Sequence, residues 1–162
     1  MNYFELFGFP EAPVIDKTHV AKRYFQLQKS HHPDFFTQAN EAEKEAALEQ
    51  SAHINKAFTV FQDHEKTLEY YLQLKDIIVT DEKYQLPADF LMEMMELNES
   101  LLSKTPEAAT DEIAQMEAQL YNEIAPILKD SALYEDAGSL QQLKAYYYQK
   151  KYLKRILDRL SD

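Results

Sequence analysis

The sequence predicts an all-α protein built as two small helical units. Three observations carry that expectation. Glycine occurs only at Gly8 and Gly138 in 162 residues. Apolar residues recur three and four positions apart over most of the chain, the spacing of a helix face. The only β-branched cluster is the short run from Ile77 to Thr80. Strong helix formers fill most of the remainder, and no stretch alternates apolar with polar as a half-buried strand would.

The first element is a short apolar helix within Tyr3 to Phe9, closed by Pro10, with Pro10 and Pro13 marking a loop. Asp16 is placed to cap a second helix, in which Val20, Tyr24, Leu27 and His31 follow at i, i+4, i+7 and i+11. That helix must stop near His32, because Pro33 pushes the residue before it out of the helical region. A third helix starts at Asn40 or Glu41, and Ala47, Ser51, Ile54, Phe58 and Phe61 line one face of it. Asp63 caps a fourth, from Glu65 to about Leu74. The segment from Asp76 to Lys83, then Tyr84 and Pro87, reads as a linker or seam covering residues 75–86. Three further helices follow in residues 87–162: Pro87 to Ser103, Pro106 to Lys129 with Pro126 kinking or ending it, and Ser139 to Leu160 after a break at Ala137-Gly138. Joined by short turns, they form a three-helix bundle.

Composition removes several classes of function. Two distant glycines build neither a dinucleotide-binding turn nor a Walker loop. The absence of cysteine removes disulfides, thiolate nucleophiles and Cys-held zinc or iron–sulfur clusters, so any metal cluster the protein serves is held by another protein. The stretch Met1 to Glu5 lacks a basic region and carries an acid, so no export signal is expected; no apolar run approaches the ~18 residues of a membrane span. The expected compartment is the cytoplasm. The net charge of −11 is uneven: residues 1–75 hold −3, residues 76–143 hold −12, and residues 144–162 hold +4. So acidic a chain is not expected to bind nucleic acid. Within it, Lys17, Lys22, Arg23 and Lys29 lie between Asp16 and Asp34 with no acid among them, a local basic helix suited to an acidic protein partner.

At the end of that helix stands His32-Pro33-Asp34. Proline fixes the turn, histidine can donate and accept, and the carboxylate suits a bidentate arginine on a partner. As a bare tripeptide it also reads as a helix stop followed by a capping aspartate. The surrounding landmarks add weight: an opening Tyr3-Phe4-Glu-Leu-Phe7-Gly8, the basic helix, the tripeptide, and Ile54-Asn-Lys-Ala-Phe58-Thr-Val-Phe61-Gln-Asp63 about twenty residues later. Together they resemble the J-domain family over roughly residues 1–74. With Phe90-Leu-Met-Glu-Met-Met-Glu-Leu97 they look like its HscB branch, the co-chaperones of iron–sulfur cluster biogenesis. The resemblance implies a J-domain that stimulates the ATPase of a DnaK/HscA-type chaperone through His32, Pro33 and Asp34, with Lys22, Arg23 and Lys29 docking on that chaperone. It also implies a C-terminal domain that delivers an IscU-type scaffold protein. The family usually follows the tripeptide with a basic residue, and here Phe35 and Phe36 stand instead.

The second surface can be read from helical spacing as well. Phe90, Met94, Leu97 and Leu101 fall on one face and form the core; Met92, Glu96 and Glu99 lie nearly opposite. Burial of a wide face against two neighbours is one reading of Leu91 and Leu102 and contact with a partner the other, whereas adaptable methionines beside acids suit recognition. The family's scaffold-contacting positions match Leu91, Met92, Met95, Glu96 and Glu99, and one further acidic position falls on Ser103.

Other sites are weaker. His31 and His32 are adjacent and cannot share a helix face, and His53 and His64 flank a helix boundary, so no metal site is expected. No carboxylate pair defines a hydrolytic cleft. Tyr146-Tyr147-Tyr148 and Tyr152, among Lys144, Lys150, Lys151, Lys154 and Arg155, read as bundle packing rather than a stacking surface for nucleic acid. The expectation is a protein without enzymatic activity or cofactor; the alternatives are a helical adaptor or a general J-protein with a different client.

Overall fold

Among the described residues seven helices account for most of the chain: α1 (Tyr3–Phe7), α2 (Lys17–His31), α3 (Glu41–Phe61), α4 (His64–Leu74), α5 (Ala88–Leu101), α6 (Pro106–Leu128) and α7 (Ala137–Leu160). Single 3-10 turns occupy Pro33–Phe36 and Ser131–Leu133. The computed structural model describes residues 1–161, with no strand among them. The chain divides into two units, residues 1–74 and residues 75 onward.

Local side chains set most helix starts. Asn2, Asp16, Asn40, Thr105 and Asp136 accept from backbone N–H groups of the first turns of α1, α2, α3, α6 and α7, and Asp63 does the same for α4 through Lys66, at 3.0 Å. Each such cap contributes about 1 kcal/mol by satisfying an orphaned donor. Only α5 starts without one, after Pro87. At the other end of α1, Gly8 adopts φ 73°, a left-handed conformation that spares glycine the Cβ clash, and its N–H returns to Glu5.

One boundary differs from the sequence reading. Asp136 accepts from Ser139, 3.0 Å away, and its carbonyl takes the N–H of Leu140, so α7 begins at Ala137 and Gly138 lies inside its first turn rather than breaking the chain. Pro126 lies inside α6, which ends beside the expected Lys129. The helix continues to Leu128, and Lys129 closes it through its N–H to Ala125.

In the first unit α2 and α3 form a hairpin whose register is locked by polar contacts. Asn55 accepts from the hydroxyl of Tyr24 at 2.8 Å and from the amide of Gln28 at 3.0 Å, and Ser51 donates to Gln28 at 3.1 Å. Tyr24 stacks on Phe58 with centroids 4.1 Å apart. The apolar core is closed by rings around Phe61, with Phe4 at 5.0 Å and Phe7 at 5.4 Å. Each fully buried ring contributes about 1.5–3 kcal/mol.

In the second unit Phe90, Met94 and Leu97 of α5 pack with Ile113 of α6 and with Leu153 and Ile156 of α7, flanked by half-buried Leu101 and Tyr152. The stretch expected as a linker is fastened along α7. Tyr84 stacks on Tyr148 with centroids 4.4 Å apart. Glu82 accepts from Lys144 at 2.6 Å, from Tyr148 at 3.0 Å and from the N–H of Val79 at 3.2 Å.

The bond from Lys144, seconded by Tyr148, holds the Glu82 carboxyl below the usual glutamate range. A carboxyl whose folded value is depressed stabilises the fold at neutral pH and loses that contribution as pH falls through the lowered value. Glu82→Gln is therefore expected to melt earlier than the wild type at neutral pH, with the gap closing below about pH 4. Melting curves followed by circular dichroism across that range check this; a gap independent of pH would contradict it.

Candidate functional site

The His32-Pro33-Asp34 loop sits where α2 must end. His32 takes an extended backbone, φ −67° and ψ 135°, and its N–H still closes the helix on Gln28. Pro33 opens the following 3-10 turn, and the histidine, rather than the aspartate, caps it: Nδ1 accepts the N–H of Asp34 at 3.2 Å. With Nδ1 accepting, a neutral ring carries its proton on Nε2, leaving a donor for a partner. The Asp34 side chain is 85% exposed, lies 3.5 Å from the same Nδ1, and meets no other charged side chain among the described residues. The loop thus presents one carboxylate and one N–H donor on a turn stiffened by proline.

The basic residues of α2 divide into two kinds. Lys22 and Lys29 are exposed, and neither pairs with an acid among the described residues. Arg23 is half-buried. Its Nε donates to the carbonyl of Phe7 at 2.9 Å and one terminal nitrogen to Gln26 at 3.2 Å. This guanidinium clamps the end of α1 to α2, a role that composition and spacing did not reveal because its partner is a backbone carbonyl sixteen residues away.

On α5 the residues expected to recognise a partner are all at the surface. Met92 is 64% exposed and Met95 67%, Leu91 is more sheltered at 39%, and Glu96 and Glu99 are exposed with them. At about 100° per residue they share one side of the helix, away from Phe90, Met94 and Leu97. Leu102, for which packing against a neighbour is one of two readings, is 90% exposed and extends the same apolar ridge. Its signal in the sequence was its alignment with Leu91 and Met95, which a wide core face explained equally well. Ser103, where an acid stands in the family pattern, is exposed too.

Among the described residues no group of three or more His, Asp or Glu is arranged to hold a metal ion. A groove of about 250 Å³ between α5, α6 and α7 has Phe90, Met116, Leu120 and Leu153 for a floor and Asp89, Glu93 and Glu123 at its rim. It holds no histidine, lysine or hydroxyl group to work with those carboxylates. No described helix is long and apolar enough to cross a membrane.

Residues 86–161 match the family described as the HSCB C-terminal oligomerisation domain. Over 169 residues the chain is 34% identical to the co-chaperone protein HscB homolog of Vibrio cholerae, covering 99% of each. It is 32% identical over 174 residues to that of Shewanella baltica, covering all of both. In three dimensions it is similar to the chaperone HscB from Vibrio cholerae, with a TM-score of 0.63 at 33% identity over 99% of each chain. It shares the fold of human co-chaperone HscB, with a TM-score of 0.79 at 24% identity over 99% of this chain and 81% of that one.

The two kinds of basic residue on α2 can be told apart by stability. Arg23→Gln is expected to cost about 1–3 kcal/mol, because a charge-assisted bond to a carbonyl is lost, whereas Lys22→Gln leaves unfolding within about 0.5 kcal/mol of the wild type. Urea unfolding of both variants checks this, and equal midpoints would remove the clamp.

Proposed function

The chain belongs to the HscB family of co-chaperones, and from that premise we propose that it joins two partners. One is a DnaK/HscA-type chaperone whose ATPase it stimulates. The other is an IscU-type iron–sulfur scaffold protein that it delivers to that chaperone, aiding cluster assembly and transfer. One observation carries this reading: a single chain bears an exposed His-Pro-Asp loop at the end of a basic helix and, on its other unit, an exposed helix face of methionines and acids.

At the first surface Lys22 and Lys29 draw in an acidic face of the chaperone, and Pro33 holds the turn. The Asp34 carboxylate receives a guanidinium while the Nε2–H of His32 donates. Arg23 acts there mainly by holding α1 against α2. The chain itself transfers no group and holds no cofactor; it accelerates turnover by favouring the chaperone conformation in which ATP is hydrolysed. At the second surface Leu91, Met92 and Met95 supply an adaptable apolar contact, and Glu96 and Glu99 pair with basic groups of the scaffold. The cluster is the scaffold's cargo. The cytoplasm is where we place this exchange. A second reading of the α5 face, self-association, has the name of the matching family in its favour.

The two surfaces are expected to fail independently. Asp34→Asn keeps the shape of the turn and is expected to abolish stimulation of the chaperone ATPase while scaffold binding and melting temperature stay unchanged. Replacing Met92, Met95 and Glu96 together with alanine is expected to leave stimulation intact and weaken scaffold binding about thirty-fold or more, from losses of about 2–4 kcal/mol at anchor positions. Coupled ATPase assays, calorimetry and sedimentation on both variants check this. An Asp34→Asn protein that stimulates like the wild type overturns the loop assignment. A triple variant that becomes monomeric from a wild-type dimer yet binds scaffold normally favours self-association.

A further inference from the structure

Among the described residues 1–74 the large apolar side chains left exposed are Met1, Phe25, Phe35 and Leu48. Met1 is at the terminus, and Leu48 stands on α3 three residues after Glu45. Phe25 and Phe35 differ in setting: both lie within the run between Asp16 and the start of α3 that carries the basic residues and the tripeptide. Phe25 is 68% exposed and Phe35 65%.

Helix geometry places them around His32. Phe25 precedes His32 by seven residues, two turns of α2, and therefore lies along the same line of that helix. Lys22 is one turn behind Phe25 and Lys29 one turn ahead, which surrounds the ring with cations. Phe35 follows the loop, its ring edge-on to His32 with centroids 6.4 Å apart. Phe35 also stands where the family usually has a basic residue. An apolar group has taken the place of a charge.

We propose that Phe25 and Phe35 are apolar anchors within the chaperone-docking face, so that the surface they meet is an apolar patch rimmed by carboxylates rather than an acidic surface alone. This rests on the chaperone reading above. Charge identifies the occupant: two unpaired lysines frame Phe25, and α2 carries no acid between Asp16 and Asp34, so the partner is acidic around the ring. A lysine-to-carboxylate contact is screened within about 8 Å at physiological ionic strength, whereas burial of a phenyl ring is not weakened by salt. Aromatic residues are enriched at the centre of protein interfaces, whose rims are polar.

The test is a titration of a purified DnaK/HscA-type chaperone with full-length protein at several salt concentrations. Phe25→Gln is expected to raise the concentration for half-maximal ATPase stimulation about tenfold. Its maximal stimulation, salt dependence and melting temperature are expected to stay unchanged, and Phe25→Leu to retain most of the wild-type response. The double substitution Lys22→Gln and Lys29→Gln is expected instead to flatten the salt dependence. A half-maximal concentration for Phe25→Gln within twofold of the wild type overturns the anchor while leaving the chaperone reading in place, provided that Asp34→Asn has lost stimulation. If the wild type does not stimulate the chaperone, or Asp34→Asn stimulates equally, the chaperone reading itself fails. A wild-type dimer that Phe25→Gln converts to monomer with an unchanged ATPase response overturns the anchor in favour of contact between copies.

Discussion

The rings of Tyr3, Phe4, Phe7, Phe9 and Tyr70 close on Phe61 at the end of α3, with centroids between 5.0 and 6.4 Å away. This cluster joins α1, α3 and α4 at one end of the hairpin, and the Asn55 contacts with Tyr24 and Gln28 lock α2 to α3 further along. The tripeptide loop lies at the opposite end, where the chain leaves α2 and enters α3. With that much fixed behind it, Pro33, the His32 cap, the N–H of Phe35 on the His32 carbonyl and Asn40 at the start of α3 hold the shape of the loop. The Asp34 side chain, 85% exposed, faces outward from it.

The same division governs the charges. Arg23, the basic residue of α2 that reaches inward, binds a carbonyl; the exposed lysines are unpaired. In the second unit Lys144 and Glu82 are sheltered and bonded to each other, whereas Glu96 and Glu99 on α5 stand free at the surface. Exposed apolar groups follow a similar pattern. Most large side chains of α5 that do not enter the core gather on one side with those acids, and a surface of that kind marks recognition more often than chance exposure.

Much of this is legible in the amino-acid sequence. The helix starts at Asp16, Asn40 and Asp63 follow from capping chemistry, and the end of α2 follows from the constraint that Pro33 places on His32. The core stripe of α5 and its opposite face follow from helical period, with Phe90, Met94 and Leu97 buried and Met92 exposed, whereas the exposure of Met95 follows from residue type as well. What escapes such a reading depends on contacts distant in sequence or on small local balances. Arg23 reads as a docking charge, and its bond to the Phe7 carbonyl is invisible to spacing. Gly138 reads as a break because its intrinsic cost of about 1 kcal/mol in a helix is visible, while the offsetting cap from Asp136 lies two residues away. Leu102 lies off the core stripe by period, where packing and exposure read alike, and it stands just past the end of α5 with 90% of its surface exposed. The fastening of residues 75–86 through Glu82, Tyr84 and α7 leaves no periodic trace at all.

The central claim is that one chain joins a chaperone and a scaffold through separate surfaces. The most direct measurement is steady-state ATP turnover by a DnaK/HscA-type chaperone with this protein alone, with an IscU-type scaffold alone, and with both together. Delivery requires the combined acceleration to exceed the sum of the separate ones, since each partner then raises the effective concentration of the other. Acceleration that is merely additive, or scaffold that suppresses the effect of this protein, would contradict the account.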